Sequence, residues 1–248
     1  MSALVLALAA GAVIGLALGA LGGGGSVLAV PALIYLLGFS PVGATTASLV
    51  IVTITSATAL SVHARDGYVR WRTGLLFAAA GIGPAMLGGA VAARIPAAVL
   101  TAGFAVVAGA AAVRMLRSRP ADEASVPVRP GPAAGAGAGL GAVTGVLGVG
   151  GGFLAVPALA SVLGLRMRNA VGTSLLVIAV NSLAALAMRA RTVEQLDWAV
   201  VGPFVGTAIL GAWDGKRLAA KVSGRTLQRM FALLLLAVAA FMLIDATR

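Results

Sequence analysis

The sequence predicts an all-α integral membrane protein. The expected build is a polytopic helical bundle of two inverted repeats with about 8–10 membrane segments, two of them glycine-broken or re-entrant helices. Three observations carry that expectation. The chain is 60% hydrophobic and only 10% charged, with a mean hydropathy of +1.05. It repeats itself at an offset of 126 positions. Each copy is also interrupted, at the same place in an apolar stretch, by a cluster of glycines.

The composition excludes several classes of function. Soluble domains carry about 25% charged residues, and no stretch of these 248 residues approaches that as a water-soluble catalytic domain would. A net charge of +11 could suggest nucleic acid. The 18 Lys and Arg, however, lie singly or in small groups between apolar runs, where the positive-inside rule places them. Nucleic acid is therefore not an expected partner, and the lipid bilayer is. With no cysteine, neither a disulfide framework nor a thiolate metal site can form. Met1 to Ala10 lacks a basic stretch and reads as the start of the first membrane helix rather than as a cleaved signal.

The repeat sets the organisation. Leu28–Leu33 (LAVPAL) recurs as Leu154–Leu159, and Gly11, Gly15 and Gly19 recur as Gly137, Gly141 and Gly145. Gly22, Gly24 and Gly25 fall on Gly148, Gly150 and Gly151; Gly38 falls on Gly164, and Ser48-Leu49 on Ser174-Leu175. The expected units are an N-terminal repeat at 1–118, a proline-rich linker at 119–132 and a C-terminal repeat at 133–248. Apolar runs in the first are 3–21, 27–37, 42–62, 73–93 and 97–116. Those in the second are 134–147, 152–164, 169–188, 197–213 and 227–244. The second run of each half is too short to span about 30 Å as a helix. Each first pair is thus either two crossings or a re-entrant hairpin or broken helix.

Loop charge decides the parity. If each half crosses an odd number of times, 14 Lys and Arg collect on one side, in loops 63–72, 114–130, 165–168 and 214–229, and four remain on the other. Four crossings per half would split them 8 to 10. The lopsided count favours the odd number, with both termini outside, and an odd-numbered repeat inserts upside-down relative to its partner. Inverted repeats with broken helices recur among secondary transporters.

The candidate site follows from the breaks. Gly22–Ser26 and Gly148–Gly152 lie in apolar surroundings, where unsatisfied backbone must be buried in protein or line a polar cavity. Free N–H groups there suit an anion; the competing reading is tight helix packing. A nucleotide P-loop is excluded, because no Lys follows either cluster. The ladders Gly11/Gly15/Gly19 and Gly137/Gly141/Gly145 read as helix-packing surfaces. Thr45–Ser48 and Val171–Ser174 start helices and could cap them or present donors to an oxyanion. Asn181, opposite Thr55 in the repeat, could make an interhelical hydrogen bond or touch a ligand.

His63, the sole histidine, reads as interfacial, with a proton relay as the competing role. Trp71, Trp198 and Tyr68 fit an aromatic belt. All seven carboxylates fall in or beside loops, and Asp214 is expected to pair with Lys216 or Arg217. No catalytic residue, metal site or cofactor is expected.

With those residues in place, the chain resembles the TauE/SafE family of membrane permeases, known as sulfite and organosulfonate exporters. The match lies in GALGGGGSVLAVPAL (19–33) with GATTASL (43–49), and in GVLGVGGGFLAVPAL (145–159) with NAVGTSL (169–175). The resemblance implies transport of a small sulfur oxyanion across the cytoplasmic membrane. The first half departs from it, with Thr46-Ala47-Ser48 in place of Gly172-Thr173-Ser174. The expected substrate site is Gly23, Gly24, Gly25, Ser26, Thr46, Ser48, Gly150, Gly151, Gly152, Thr173, Ser174 and Asn181, with rocking of one repeat against the other as the motion. Expected partners are a small anionic substrate and the bilayer, with a homodimer as a possible assembly. The rival functions are a passive anion channel on the same scaffold and a non-transporting membrane assembly protein.

Overall fold

The computed structural model describes residues 2–92, 95–117, 130–147, 152–187, 193 and 196–246. Among them are ten α-helices and no strand. The first half gives α1 (Ser2–Leu21), α2 (Gly24–Pro31), α3 (Pro41–Arg65), α4 (Trp71–Ala92) and α5 (Ala97–Arg117). The second gives α6 (Pro130–Leu147), α7 (Gly152–Pro157), α8 (Met167–Ala187), α9 (Trp198–Ala220) and α10 (Gly224–Ala246). Helix α6 begins inside the expected linker, with Pro130 in its first turn, where a missing N–H costs nothing. Four segments are long and apolar enough to cross a membrane: Leu4–Leu21, Gly43–Arg65, Met167–Ala187 and Gly224–Ile244.

The repeat is visible in local geometry. Pro31 and Pro157 each end a short α-helix, and each is followed by a single π-helical turn, Ala32–Leu36 and Ala158–Val162. Proline has no N–H to give the preceding turn and its ring crowds the carbonyl four residues back, so the helix loosens there. Gly38 and Gly164 close these turns with φ of +69° and +66°. Beyond them Phe39 and Leu165 donate backbone N–H groups to Leu33 and Leu159, both at 3.0 Å. The chain turns through the left-handed conformation that glycine adopts without penalty, satisfying the last helical carbonyls.

Packing crosses between the halves. Helix α1 lies against α9, and α4 lies against α6, in the two most extensive contacts of the bundle. A methyl at Gly11, Gly15 or Gly19 would overlap the backbone at Phe204, Ala208 or Ala212. In return, Gly211 and Gly215 sit against Ala12 and Leu16. Because both numbers rise together, α1 and α9 run parallel. In the same way Gly137 meets Phe77 and Gly141 meets Gly81, so α4 and α6 also run parallel. These are the small-residue ladders of the sequence, and they do bring backbones together. Helices α5 and α10 pack through Phe104, Met115, Leu227 and Phe231, with the buried Gln228 amide donating to the Met115 carbonyl.

Helix ends gather accordingly. Lys216 of α9 meets Asp66 after α3, Arg70 before α4 meets Thr173 of α8, and Gly22 after α1 meets Ser174. Arg168 bonds the carbonyls of Ala220, the last residue of α9, and of Val222 just after it. The described cations of the loops at 63–72, 114–117, 165–168 and 214–229 therefore share one end of the bundle. Trp71 opens α4 at this end, and Trp198 opens α9 at the other, both half exposed. Outward between the ends stand large aliphatics such as Leu87 and Val106, 73% and 69% exposed. Inside, small residues line the close helix contacts while Phe77, Phe104, Phe204 and Phe231 fill the space between them.

Gly15→Ala and Gly141→Ala should each lower stability in detergent by about 1–3 kcal/mol through overpacking against backbone. Gly83→Ala and Gly139→Ala meet open space and should be neutral or stabilising by up to about 1 kcal/mol, since alanine favours helix. Thermal unfolding of the four purified variants reads the opposite signs.

Candidate functional site

Helices α3 and α8 pack on each other through the centre of the bundle, and α2 packs on α7 beside them. In the repeat register α3 and α8 are equivalent. Their contact carries an unusual density of buried polar groups: Thr46, Ser48, Thr55 and Ser56 on α3, and Thr173, Ser174 and Ser182 on α8. Asn181 is partly buried among them. Ser48, Thr55 and Ser56 sit seven and eight residues apart, which is one face of a helix, and Ser174, Asn181 and Ser182 repeat that spacing. No Lys, Arg, Asp or Glu occurs between residues 42 and 62 or between 169 and 188. The seam is polar and carries no formal charge.

Three of these hydroxyls already serve their own helices. Ser48 Oγ donates to the Thr45 carbonyl at 2.8 Å and Ser174 Oγ to the Val171 carbonyl at 2.8 Å. Thr55 Oγ1 donates to the Ile51 carbonyl at 2.6 Å. Such back-bonding satisfies the hydroxyl hydrogen and leaves oxygen lone pairs free. Thr173 Oγ1 instead accepts the Arg70 backbone N–H at 3.0 Å, tying the α3–α4 loop to α8. Two atoms have no partner among the described residues, Ser56 Oγ and Asn181 Oδ1. In the repeat alignment Ser56 falls on Ser182 and Asn181 on Thr55. An unsatisfied buried polar atom costs about 1–3 kcal/mol, so each of the two calls for a ligand or water.

The expected site residues divide into groups. Thr46, Ser48, Thr173 and Ser174 are buried and Asn181 partly buried on α3 and α8, with Thr46 on a different face of α3 from Ser48. Capping is not what the hydroxyl stretches do: Ser40 caps α3, accepting the Gly43 N–H at 3.2 Å, while Thr45–Ser48 lie within the helix. The break after α1 is only Gly22-Gly23, since Gly24, Gly25 and Ser26 already form the first turn of α2. Gly23 is buried in it. Gly152 is buried and opens α7, whereas Gly150 and Gly151 lie outside the described residues. Ser56 and Ser182 were not singled out from the sequence, although the offset of 126 that pairs Ser48 with Ser174 also pairs them.

One break meets the seam directly. Gly22 adopts φ +69°, and a methyl there would stand 2.6 Å from Ser174 Oγ and 3.3 Å from Val156 Cγ2. The first glycine cluster thus touches the second hydroxyl stretch. Toward the cationic end, His63 is buried with Nδ1 donating to the Ala59 carbonyl at 3.0 Å. Next to it Lys216 Nζ bridges Asp66 at 2.6 Å and the Val62 carbonyl at 3.1 Å. Asp214 pairs with Arg217 at 3.4 Å, the second of its two expected partners.

Comparison with known proteins agrees with this architecture. The family model described as "Sulfite exporter TauE/SafE" matches residues 7–242. A "Probable membrane transporter protein" of Xylella fastidiosa (strain 9a5c) is 35% identical, across 97% of this chain and 95% of its own. A protein of the same description from the Temecula1 strain is 34% identical over the same shares. No solved structure matches the chain significantly.

Gly22→Ala and Gly38→Ala both place a methyl at positive φ, which costs about 1–2 kcal/mol. Only Gly22 also meets a neighbour, so Gly22→Ala should melt lower than Gly38→Ala. Adding Ser174→Gly should narrow that gap, since contacting pairs do not add; equal melting temperatures for the two single variants would contradict the contact.

Proposed function

The chain belongs to the sulfite exporter TauE/SafE family, and from that premise we propose that it is a secondary transporter of a small anion. The favoured substrate is a sulfur oxyanion such as sulfite or an organosulfonate. One observation carries the reading: an uncharged polar seam, with unpartnered Ser56 Oγ and Asn181 Oδ1, runs where two repeat-equivalent helices meet. Hydroxyl and amide groups offer the neutral hydrogen bonds an oxyanion needs after losing water, without holding it too tightly to leave. The first-turn N–H groups of α2 add a favourable dipole beside the seam. The site proposed for substrate is therefore Thr46, Ser48, Thr173, Ser174 and Asn181, extended by Ser56 and Ser182. Gly23, Gly24, Gly25, Ser26 and Gly152, at the starts of α2 and α7, complete the proposed site, and the repeat adds Gly150 and Gly151, which lie outside the described residues.

Alternating access needs two bodies that move against each other. The proposed membrane arrangement is two inverted repeats, 1–118 and 133–248, in a multi-pass protein of the cytoplasmic membrane. The parallel pairs α1–α9 and α4–α6 support it, because they place the start of α6 at the end where α1 finishes. Those pairs also decide what can rock. Glycine contacts bind the first helix of each half to the fourth helix of the other, so a motion that parted the repeats would tear both. The moving bodies are instead α1, α2, α3 and α9 on one side and α4, α6, α7 and α8 on the other. Each draws on both repeats, and the seam lies between them. The loose π-helical turns after Pro31 and Pro157 sit where such a motion bends the chain.

The purified protein in liposomes should move sulfite or methanesulfonate at a rate that saturates with concentration. A rate linear in concentration would indicate a channel, and no flux above protein-free vesicles would remove the anion reading. Reporter fusions after Arg117 and at the C-terminus should place the first in the cytoplasm and the second outside, as the cation-rich end demands.

A further inference from the structure

The charge of the seam, rather than its shape, selects among anions. Resting on the anion-transport reading above, we infer that the α3–α8 seam accepts singly charged oxyanions and rejects doubly charged ones, so that an oxyanion with a titratable last proton crosses in its monovalent form.

The cost of removing an ion from water grows with the square of its charge, so a dianion is about four times as expensive to desolvate as a monoanion of equal size. Binding sites for dianions offset that with cations, above all the bidentate fork of arginine. The middle spans of α3 and α8 carry none. Between residues 42 and 62 and between 169 and 188 there is no Lys or Arg. The nearby cations are engaged at the cationic end: Lys216 by Asp66 and the Val62 carbonyl, and Arg168 by the Ala220 and Val222 carbonyls and the Tyr68 hydroxyl. Neutral hydrogen bonds remain, and they can balance one charge more readily than two.

The unpartnered atoms point the same way. Ser56 is fully buried, more than two helical turns inside either end of α3, and its hydroxyl both donates and accepts. Asn181 brings an amide, which also has both faces, and its Oδ1 acceptor is the atom left open. A fully deprotonated oxyanion presents acceptors alone, and would set its oxygens against that carbonyl. A protonated oxyanion presents an O–H to Asn181 Oδ1 and oxygens to the Ser56 hydroxyl. An organosulfonate, permanently monovalent, satisfies the charge condition at any pH.

The test is a flux panel on the intact protein in liposomes, corrected for protein-free vesicles, with sulfate, methanesulfonate and sulfite. Methanesulfonate should cross at a rate independent of pH across neutrality, and sulfate at least about tenfold more slowly, given its added desolvation. At fixed total sulfite, the rate should fall about tenfold per pH unit once the protonated form becomes the minor species. Sulfate moving as fast as methanesulfonate, or a sulfite rate flat with pH while methanesulfonate moves, would overturn the charge rule and leave the transporter reading standing. If none of the three crosses, the transporter reading itself fails and takes the rule with it. Ser56→Ala should slow methanesulfonate about tenfold, and Asn181→Ala should slow sulfite about tenfold below neutrality, while the protein still inserts and melts normally, each having lost one hydrogen bond to a charged ligand. Unchanged rates in both variants would overturn the placement of the ligand at these atoms.

Discussion

In hydrocarbon, water exclusion no longer draws helices together, because lipid tails are as apolar as leucine. What remains is contact, and contact grows with closeness. In this protein glycine sets that closeness: along α1–α9 and α4–α6 the backbone of one helix fills the space where a side chain of the other would stand. The two pairs fix the direction of four helices and, through the short connections, of the others. They also join the halves crosswise, so the repeat is a unit of sequence while the packed body is a unit of two sequences. Large aliphatics such as Leu87 and Val106 can then face outward, where lipid receives them at no cost.

Polarity gathers at the centre of that bundle, on α3 and α8. The eight polar side chains of the α3 and α8 seam include three hydroxyls tied to carbonyls of their own helix. Tied hydroxyls keep a lone pair to offer but make few demands, so such a seam survives unoccupied without unravelling either helix. Two atoms break that economy, Ser56 Oγ and Asn181 Oδ1. A seam designed only to hold α3 on α8 would have no reason to leave them open. Fully paired polar contacts stiffen an interface, whereas open acceptors call for a ligand or water.

Much of this was legible in the chain. Apolar composition gave the class, and the offset of 126 gave Gly38 and Gly164, whose left-handed turns explain why both copies keep glycine there. The loop cations foretold which helix ends gather. The cross-pairing of α1 with α9 was not legible, because Gly11, Gly15 and Gly19 announce a close contact without naming its partner. The width of the break was misjudged for a related reason. Four consecutive glycines look like loop in a propensity sense, yet Gly24 and Gly25 are helical because the apolar run after them continues the same helix. Propensity yielded to the need to satisfy backbone groups where water is scarce. Ser56 and Ser182 were hidden in plain register: a serine in a hydroxyl-rich span carries no signal until burial shows which hydroxyls have found partners.

The asymmetry between the halves then acquires a meaning. Thr173 spends its oxygen on the Arg70 N–H and so binds the loop before α4 to α8. Its counterpart in α3 is Ala47, which has no oxygen to spend. Lys216 bridges α9 to the loop after α3, and its repeat equivalent is Ala90. Both polar fastenings therefore lie at the cation-rich end and neither has a duplicate at the other. A bundle of two equal copies would favour neither side of the membrane. Among the described residues these two fastenings strengthen the cation-rich end with no repeat-equivalent counterpart, a departure from symmetry that sets the two ends of the bundle apart.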